Sequence, residues 1–438
     1  MKIKSWLAKI TNSNPVAECF RSAWTMSLFL LLLLLPVAVQ AQYNYTTNNS
    51  AITISKYTGP GGAVAIPDKI NDLTVTSIGD FVFASCTNLS QVTIPNSVTN
   101  IGKTAFVNCP KLASVTVDAN NSVYSSVDGV LFNKSQTTLI KYPSAKDGSR
   151  YMVPNSVTII ENWAFSQCTS LTSVTIPNSV TSFGDGAFAS CKSLTSITIP
   201  DSVTSIGQQA FAVCTTLTSV TIPNSVTSIG PVAFLGCANL TSAVIPNSVT
   251  NIGREAFIYC HKLTTITVDV NNSVYSSVDG VLFNKSRTSL IQCPGGKTGA
   301  YMIPMSVTCI ELLAFTGCAN LTSITIPNNV TSIGTEAFKG CKGLTSITIP
   351  NSVTSIERGM FWGCSGLTSV TIPNSITRIV GNTFADCTSL TSVYFKGNAP
   401  VIDNGVFSGD KKVTIYYLPG ATGFEKTFGG RPTAEWQE

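Results

Sequence analysis

Leu171 to Ser193 reads LTSVTIPNSVTSFGDGAFASCKS, and Leu194 to Thr216 repeats it as LTSITIPDSVTSIGQQAFAVCTT, a period of 23 residues. A fixed period of this size marks a solenoid, in which no unit buries its apolar face alone and stability comes from stacked neighbours. Inside the unit, Leu171, Val174 and Ile176 alternate with Ser173 and Thr175, which predicts a strand with apolar residues facing in and hydroxyls facing out. Pro177 offers no amide hydrogen, so the strand ends there. Val180 and Phe183 turn inward again, and Ala187 with Phe188 leads to Cys191 through a short helical or irregular turn.

Working outward, a phenylalanine marks each unit: Phe83, Phe106, Phe165, Phe188, Phe211, Phe234, Phe257, Phe315, Phe338, Phe361, Phe384 and Phe407. The spacing is 23 except for gaps of 59 and 58, and the gaps are themselves a repeat built on NNSVYSSVDGVLFNKS. Aligning VLFNKS with the regular unit puts Phe132 and Phe283 in the phenylalanine column and Ser135 and Ser286 in the cysteine column. The segments after these, PSAKDGSRYMVP and PGGKTGAYMIP, read as polar hairpin excursions of roughly ten residues carrying Tyr151 or Tyr301 to the surface. With one divergent coil in each gap, about 14 coils are expected.

Residues 1–41 read as an export signal with a basic start, an apolar run from Met26 to Val39, and a small-residue end at Ala41. The run is shorter than the roughly 20 residues of a spanning helix, so cleavage is preferred to a retained anchor and no later stretch is expected to span a membrane. Residues 42–77 then form an N-terminal cap, 78–392 the repeats with their divergent parts near 118–154 and 269–304, and 393–438 a C-terminal cap. Of the formal charge of +5, the first 41 residues carry +3, so the remainder offers no electrostatic footprint for nucleic acid.

The series L-x-x-I-x-I-P, S-V-x-x-I-G, A-F-x-x-C resembles the BspA-type branch of the leucine-rich repeat proteins over roughly residues 73–395. The resemblance implies an α/β-type repeat solenoid, a leucine-rich repeat arc with a parallel inner β-sheet and short helical or irregular outer segments. It also implies a surface or extracellular location and a role in adhesion or recognition, and it carries no catalytic residues.

Candidate site residues follow from the columns. The outward hydroxyls Ser173, Thr175, Ser196, Thr198, Ser219, Thr221, Ser323, Thr325, Ser346 and Thr348 either solvate a β-rich face or form an uncharged platform for a glycan or protein. Tyr151 and Tyr301 are the other candidates for ligand contact. Variation between coils concentrates in the turn, at Asp185, Arg254, Glu255, His261, Lys262, Glu336, Lys339, Lys342, Arg358, Trp362 and Asp386.

Eleven cysteines share one column: Cys86, Cys109, Cys168, Cys191, Cys214, Cys237, Cys260, Cys318, Cys341, Cys364 and Cys387. An odd count cannot pair fully, so a ladder of buried thiols is preferred to partial disulfides. Metal is disfavoured because a single column presents no tetrahedral cluster. Cys293 and Cys309, outside the column, are the better disulfide candidates.

No cofactor is expected, and an enzyme is hard to build. His261 is the only histidine and has no convincing nucleophile beside it. Asp118, Asn120, Asn121 and Asp128, repeated as Asp269, Asn271, Asn272 and Asp279, lack the Gly and Glu of an EF-hand loop and read as turn chemistry. The expected function is therefore an exported, non-catalytic scaffold for a protein or glycan, with a structural matrix role as the alternative and a hydrolase as the most distant reading.

Overall fold

The computed structural model describes residues 42–437 apart from Asn49, so the export-signal reading of residues 1–41 lies outside the described residues. The regular coil has two short strands. Ser196–Thr198 pairs in parallel with Ser219–Thr221, Ile197 lying opposite Val220. Farther along the coil, Ser182–Phe183, Ser205–Ile206, Ser228–Ile229 and Asn251–Ile252 form a second parallel sheet, again 23 residues apart. Among the described residues, sixteen strands of the first kind run from Gly62–Ala65 to Arg431–Glu435, which makes about 16 coils rather than 14.

The turn after the second strand contains no helix among the described residues; the irregular form is the one adopted. Its residues are held open by left-handed backbone at Gly186 (φ 61°), Ser190 (φ 62°), Gln209 (φ 57°) and Val213 (φ 61°). A helix would send each amide back four residues. Here the amides reach the next coil instead: Phe188 donates to the Ala210 carbonyl at 2.8 Å and Phe211 to Ala233 at 2.8 Å. Close stacking also fixes Gly207, where a Cβ would lie 2.8 Å from the Gly184 backbone.

The phenylalanine column is the axis of the core. Phe188 and Phe211 stack with centroids 5.4 Å apart and planes 5° from parallel, and Phe234 on Phe257 repeats this at 5.2 Å and 1°. Phe188, Phe211 and Phe234 are fully buried. Each such contact contributes about 0.5–1.5 kcal/mol beyond the area it buries.

The two long gaps are built differently from the sequence expectation. Tyr124–Val127 and Val130–Asn133 form an antiparallel hairpin around Asp128 (φ 49°) and Gly129 (φ 76°), the left-handed pair that a two-residue type I′ turn requires. Val130–Asn133 then pairs antiparallel with Thr138–Lys141, which rejoins the solenoid by pairing in parallel with Ile159–Ile160. Strand alternation makes the hairpin a septum: Leu131 packs into the core before it, Val130 and Phe132 into the core after it, and all three are fully buried. Leu282, Val281 and Phe283 repeat the arrangement, so the described residues form three core segments divided by two apolar partitions. The Tyr124 hydroxyl accepts the Ile101 amide at 3.0 Å, and Tyr275 accepts Ile252 at 2.9 Å, which satisfies the strand where the second sheet is interrupted.

After each hairpin the chain forms a complete coil, not a polar excursion. Arg150–Met152 pairs in register with Ser173–Thr175, so Tyr151 stands opposite core residue Val174; Tyr301 likewise stands opposite Ile324. Tyr142, not Phe132, occupies the phenylalanine column, stacking on Phe165 at 5.2 Å and donating its amide to Ala164 at 2.9 Å. Cys293 takes that place in the second copy, donating its amide to Ala314 at 2.7 Å, so Phe283 is likewise outside the column. Ser135 and Ser286 are therefore not in the cysteine column. Each lies between the hairpin and the next strand, its hydroxyl within 3.0 Å of Thr137 or Thr288. Tyr301 is buried at 5% exposure and Tyr151 is half-buried between Tyr142 and Phe165, so neither is a surface aromatic.

Both ends finish in antiparallel strands. Tyr43–Asn48 covers Ala51–Tyr57, and Thr427–Phe428 folds back on Arg431–Glu435.

Candidate interaction face

Hydroxyls are abundant on this chain, and several columns of them hold coils together. Thr195 donates its Oγ1 proton to the Thr172 carbonyl at 3.3 Å, Thr218 to Thr195 at 3.2 Å, and Thr241 to Thr218 at 3.3 Å. A second threonine ladder joins Thr181 to Thr158 at 3.3 Å and Thr227 to Thr204 at 3.2 Å. A serine ladder joins Ser225 to Val203 and Ser248 to Val226, both at 2.7 Å. Each bond answers a carbonyl that a stacked coil would otherwise leave underused, with a net contribution of about 1 kcal/mol.

Ten hydroxyls of the Ser-x-Thr strands are different, unlike Thr93 and Thr116, which bond each other at 3.0 Å. Ser173, Thr175, Ser196, Thr198, Ser219, Thr221, Ser323, Thr325, Ser346 and Thr348 have no side-chain hydrogen bond among the described residues. Ser173 and Ser323 are half-buried and the other eight are exposed. The parallel register lines them up, Ser196 opposite Ser219 and Thr198 opposite Thr221. Ser346 lies opposite Ser369 in the same way, and Thr348 opposite Thr371.

Sequence reasoning overlooked the residues that interrupt this array. Met152, Val244 and Met302 stand in the threonine column, opposite Thr175, Thr267 and Thr325, with exposures of 74%, 53% and 74%. The signal was present in the period: counting 23 back from Thr175 lands on Met152. At the C-terminal end the same column becomes aromatic, Tyr394 stacking on Tyr416 at 5.0 Å with Trp436 edge-on to Tyr394 at 4.9 Å.

The cysteine column lies on the inside. Cys191, Cys214, Cys237 and Cys260 each place Sγ 3.1 Å from the carbonyl of the phenylalanine in the preceding coil. Burial pushes the Cys109 and Cys260 thiols up to about 12, which removes the thiolate needed for reactivity or metal binding. Of the column residues, Cys86 alone is half-buried. The thirteen described cysteines are all free, so Cys293 and Cys309 form no disulfide with each other. Cys293 is buried in the core column, whereas Cys309 precedes inward-facing Ile310 and is directed to the other side of its strand.

The remaining candidates have local roles. Asp118 accepts the Asn120 amide at 2.8 Å in a turn, and buried Asn121 donates to the Pro95 and Val98 carbonyls at 2.8 and 2.9 Å. The variable turn positions contact one another across coils: Lys339 lies 4.3 Å from the Trp362 ring centre and pairs with Glu336 at 2.6 Å, and the Trp362 indole donates to Asp386 at 3.0 Å. His261 is exposed, with its ring 6.2 Å from that of Tyr259. Among the described residues no group of three or more His, Cys, Asp or Glu is placed to hold a metal ion, and no helix is long and apolar enough to cross a membrane.

Comparison with known proteins agrees with this architecture. The family model described as a BspA type leucine rich repeat region matches residues 68–148, 147–264 and 300–423. A leucine rich cell surface protein from Faecalibacterium prausnitzii is similar at 36% identity and a TM-score of 0.56, over 81% of this chain and 86% of that one. A leucine-rich repeat protein from Eubacterium ventriosum is similar at 26% identity and a TM-score of 0.49, over 66% and 93% of the two chains. The pneumococcal vaccine antigen PcpA is similar at 21% identity and a TM-score of 0.48, over 86% and 92%. No curated protein matches. Period, paired strands, phenylalanine column and family match converge, and the chain belongs to the BspA-type leucine-rich repeat family.

Proposed function

We propose that the chain is an exported, non-catalytic scaffold that binds a protein or glycan at or outside the cell surface through its Ser-x-Thr strand face. The observation that carries this reading is the division of labour among hydroxyls. Those of the ladders are consumed by backbone carbonyls, whereas the ten Ser-x-Thr hydroxyls named above, from Ser173 to Thr348, have no partner among the described residues and stand in register. Unpartnered donors and acceptors on a rigid sheet, broken by exposed Met152, Val244 and Met302, present both polar contacts and apolar anchors. The surface location of the similar Faecalibacterium protein supports the setting.

Screening the protein against glycan and cell-surface protein arrays is expected to give a saturable partner. Its binding should fall at least tenfold when Thr198 and Thr221 are both replaced by Lys, with the melting temperature unchanged. Absence of any partner at micromolar sensitivity, or a partner indifferent to the paired substitution, would remove this reading. The close repetition of the coils favours a structural envelope or matrix role as the second reading, and ordered self-association of the purified chain would support it.

A further inference from the structure

The two hairpin copies enclose the same place in the fold, but they fill it differently. In the first copy the junction is lined by Gly102, Lys103, Phe106, Ile140, Lys141 and Trp163, and only about 10 Å³ of space remains. The corresponding junction in the second copy is a cavity of about 220 Å³. Phe257, Leu282, Ile291 and Leu313 form apolar wall, with Arg254, Gln292 and Glu311 as its polar members. Lys141 has become Gln292 and Trp163 has become Leu313. The ion pair of Lys103 with Glu161 at 3.5 Å has no counterpart between Arg254 and Glu311 among the described residues.

Gln292 supplies a polar group inside this cavity. It is only 7% exposed, lines the cavity, and its side-chain amide has no hydrogen-bond partner among the described residues. The amide therefore faces the cavity with no partner in the described residues, and a ligand offering one donor or acceptor would gain a hydrogen bond there. The space exceeds the roughly 150 Å³ in which an apolar cavity accepts benzene. The first copy shows which group suits this junction, because its own indole, Trp163, lines the residual space. The backbone at the two positions is the same: Trp163 has φ 61° and donates to Asp185 at 2.8 Å, and Leu313 has φ 58° and donates to Thr335 at 3.0 Å.

We propose that the cavity beside the second hairpin is a binding site for an indole-sized aromatic group that hydrogen-bonds Gln292. The site lies where the Asn251–Ile252 strand, the turn after it and the hairpin meet, away from the Ser-x-Thr strands, so it stands independently of the function proposed above. Arg254 at its edge adds a cation that an electron-rich ring face attracts.

The test is titration of the full chain with free indole and, separately, with N-acetyltryptophanamide, read by calorimetry or by ligand-observed NMR. Saturable binding with a Kd on the order of 1 mM or tighter is expected. Binding of both probes would mark a site open to a partner's tryptophan side chain, and binding of indole alone a small-molecule site. Gln292→Leu should weaken binding about 5- to 10-fold, the worth of one hydrogen bond.

The filling variant pairs Leu313→Trp with Glu336→Gly, because Trp163 in the first copy packs against Gly186, where Glu336 stands in the second. It should abolish binding while melting no lower than wild type. Gln292→Lys, the residue of the first copy, provides a second filling variant with the same expectation. No saturation by either probe, or binding that survives both filling variants in folded protein, would overturn the proposal.

Discussion

The two hairpin junctions share a backbone and differ in a handful of side chains, and the difference decides whether the solenoid is solid or hollow there. In the first, Lys141 is fully buried and its Nζ donates to the Trp163 carbonyl at 3.0 Å and to Ser166 Oγ at 3.3 Å, while Trp163 supplies bulk. In the second, Gln292 is shorter and Leu313 smaller, and about 220 Å³ opens in place of about 10 Å³. A repeat therefore constrains the positions that stack but leaves the joints between segments free to be filled or left open. That is where two near-copies can acquire separate properties without disturbing the coils.

The sharpest way to break the comparison is through the septum leucines. Leu131 is fully buried in a packed junction, whereas Leu282 lines the cavity. Leu131→Ala should cost about 4–5 kcal/mol and Leu282→Ala about 2–3 kcal/mol, because the second site is already partly unpacked. Denaturant midpoints at constant m-value measure both. Equal losses would mean that the junctions are packed alike.

A smaller effect is expected from the buried amine. Burial lowers the Lys141 pKa from its usual 10.5, so above neutrality the unfolded chain holds more protons at this site than the folded one. Its contribution therefore becomes more favourable as pH rises toward 10.5. Lys141→Gln, which copies the second junction, should remove that rise, so that wild type gains on the variant between pH 7 and pH 10 in paired thermal melts. A pH-independent difference would contradict the assignment of a buried amine.

The smallest effect concerns the thiols. Half-buried Cys309, near the open junction, and half-buried Cys86 should react with a thiol reagent in the native protein, and the buried column only after denaturation. Mass spectrometry of peptides from briefly labelled protein reads this directly. Early labelling of Cys191 or Cys214 would contradict the buried ladder.

Much of the fold was legible because period and burial coincide. Phe188, Val174, Ile197 and the cysteine column recur every 23 residues, and only stacked coils satisfy all of them at once. The hairpins were misplaced for a physical reason. VLFN carries a phenylalanine 26 residues after Phe106, near the period but off it, and Asp128-Gly129 just before it is a strong two-residue turn signal, and the turn wins. With the hairpin placed there, Tyr142 falls 23 residues before Phe165 and Tyr151 falls 23 before Val174, so the next coil closes without any excursion.

The hydroxyl face was visible as a column. Its division into bonded and unbonded hydroxyls was not, because Thr195 and Thr198 are the same residue type and only the coil-to-coil geometry separates them. The cavity was illegible for a similar reason: Lys141 against Gln292 and Trp163 against Leu313 look like ordinary surface drift until the hairpin places them on one wall.

The most direct measurement counts binding sites. If side-chain filling alone separates the two junctions, pairing Trp163→Leu with Lys141→Gln should open the first junction in the image of the second. Calorimetric titration with indole should then give two equivalents bound per chain in place of the single equivalent of wild type. A stoichiometry unchanged in this folded variant would contradict the claim that these side chains decide which junction is open.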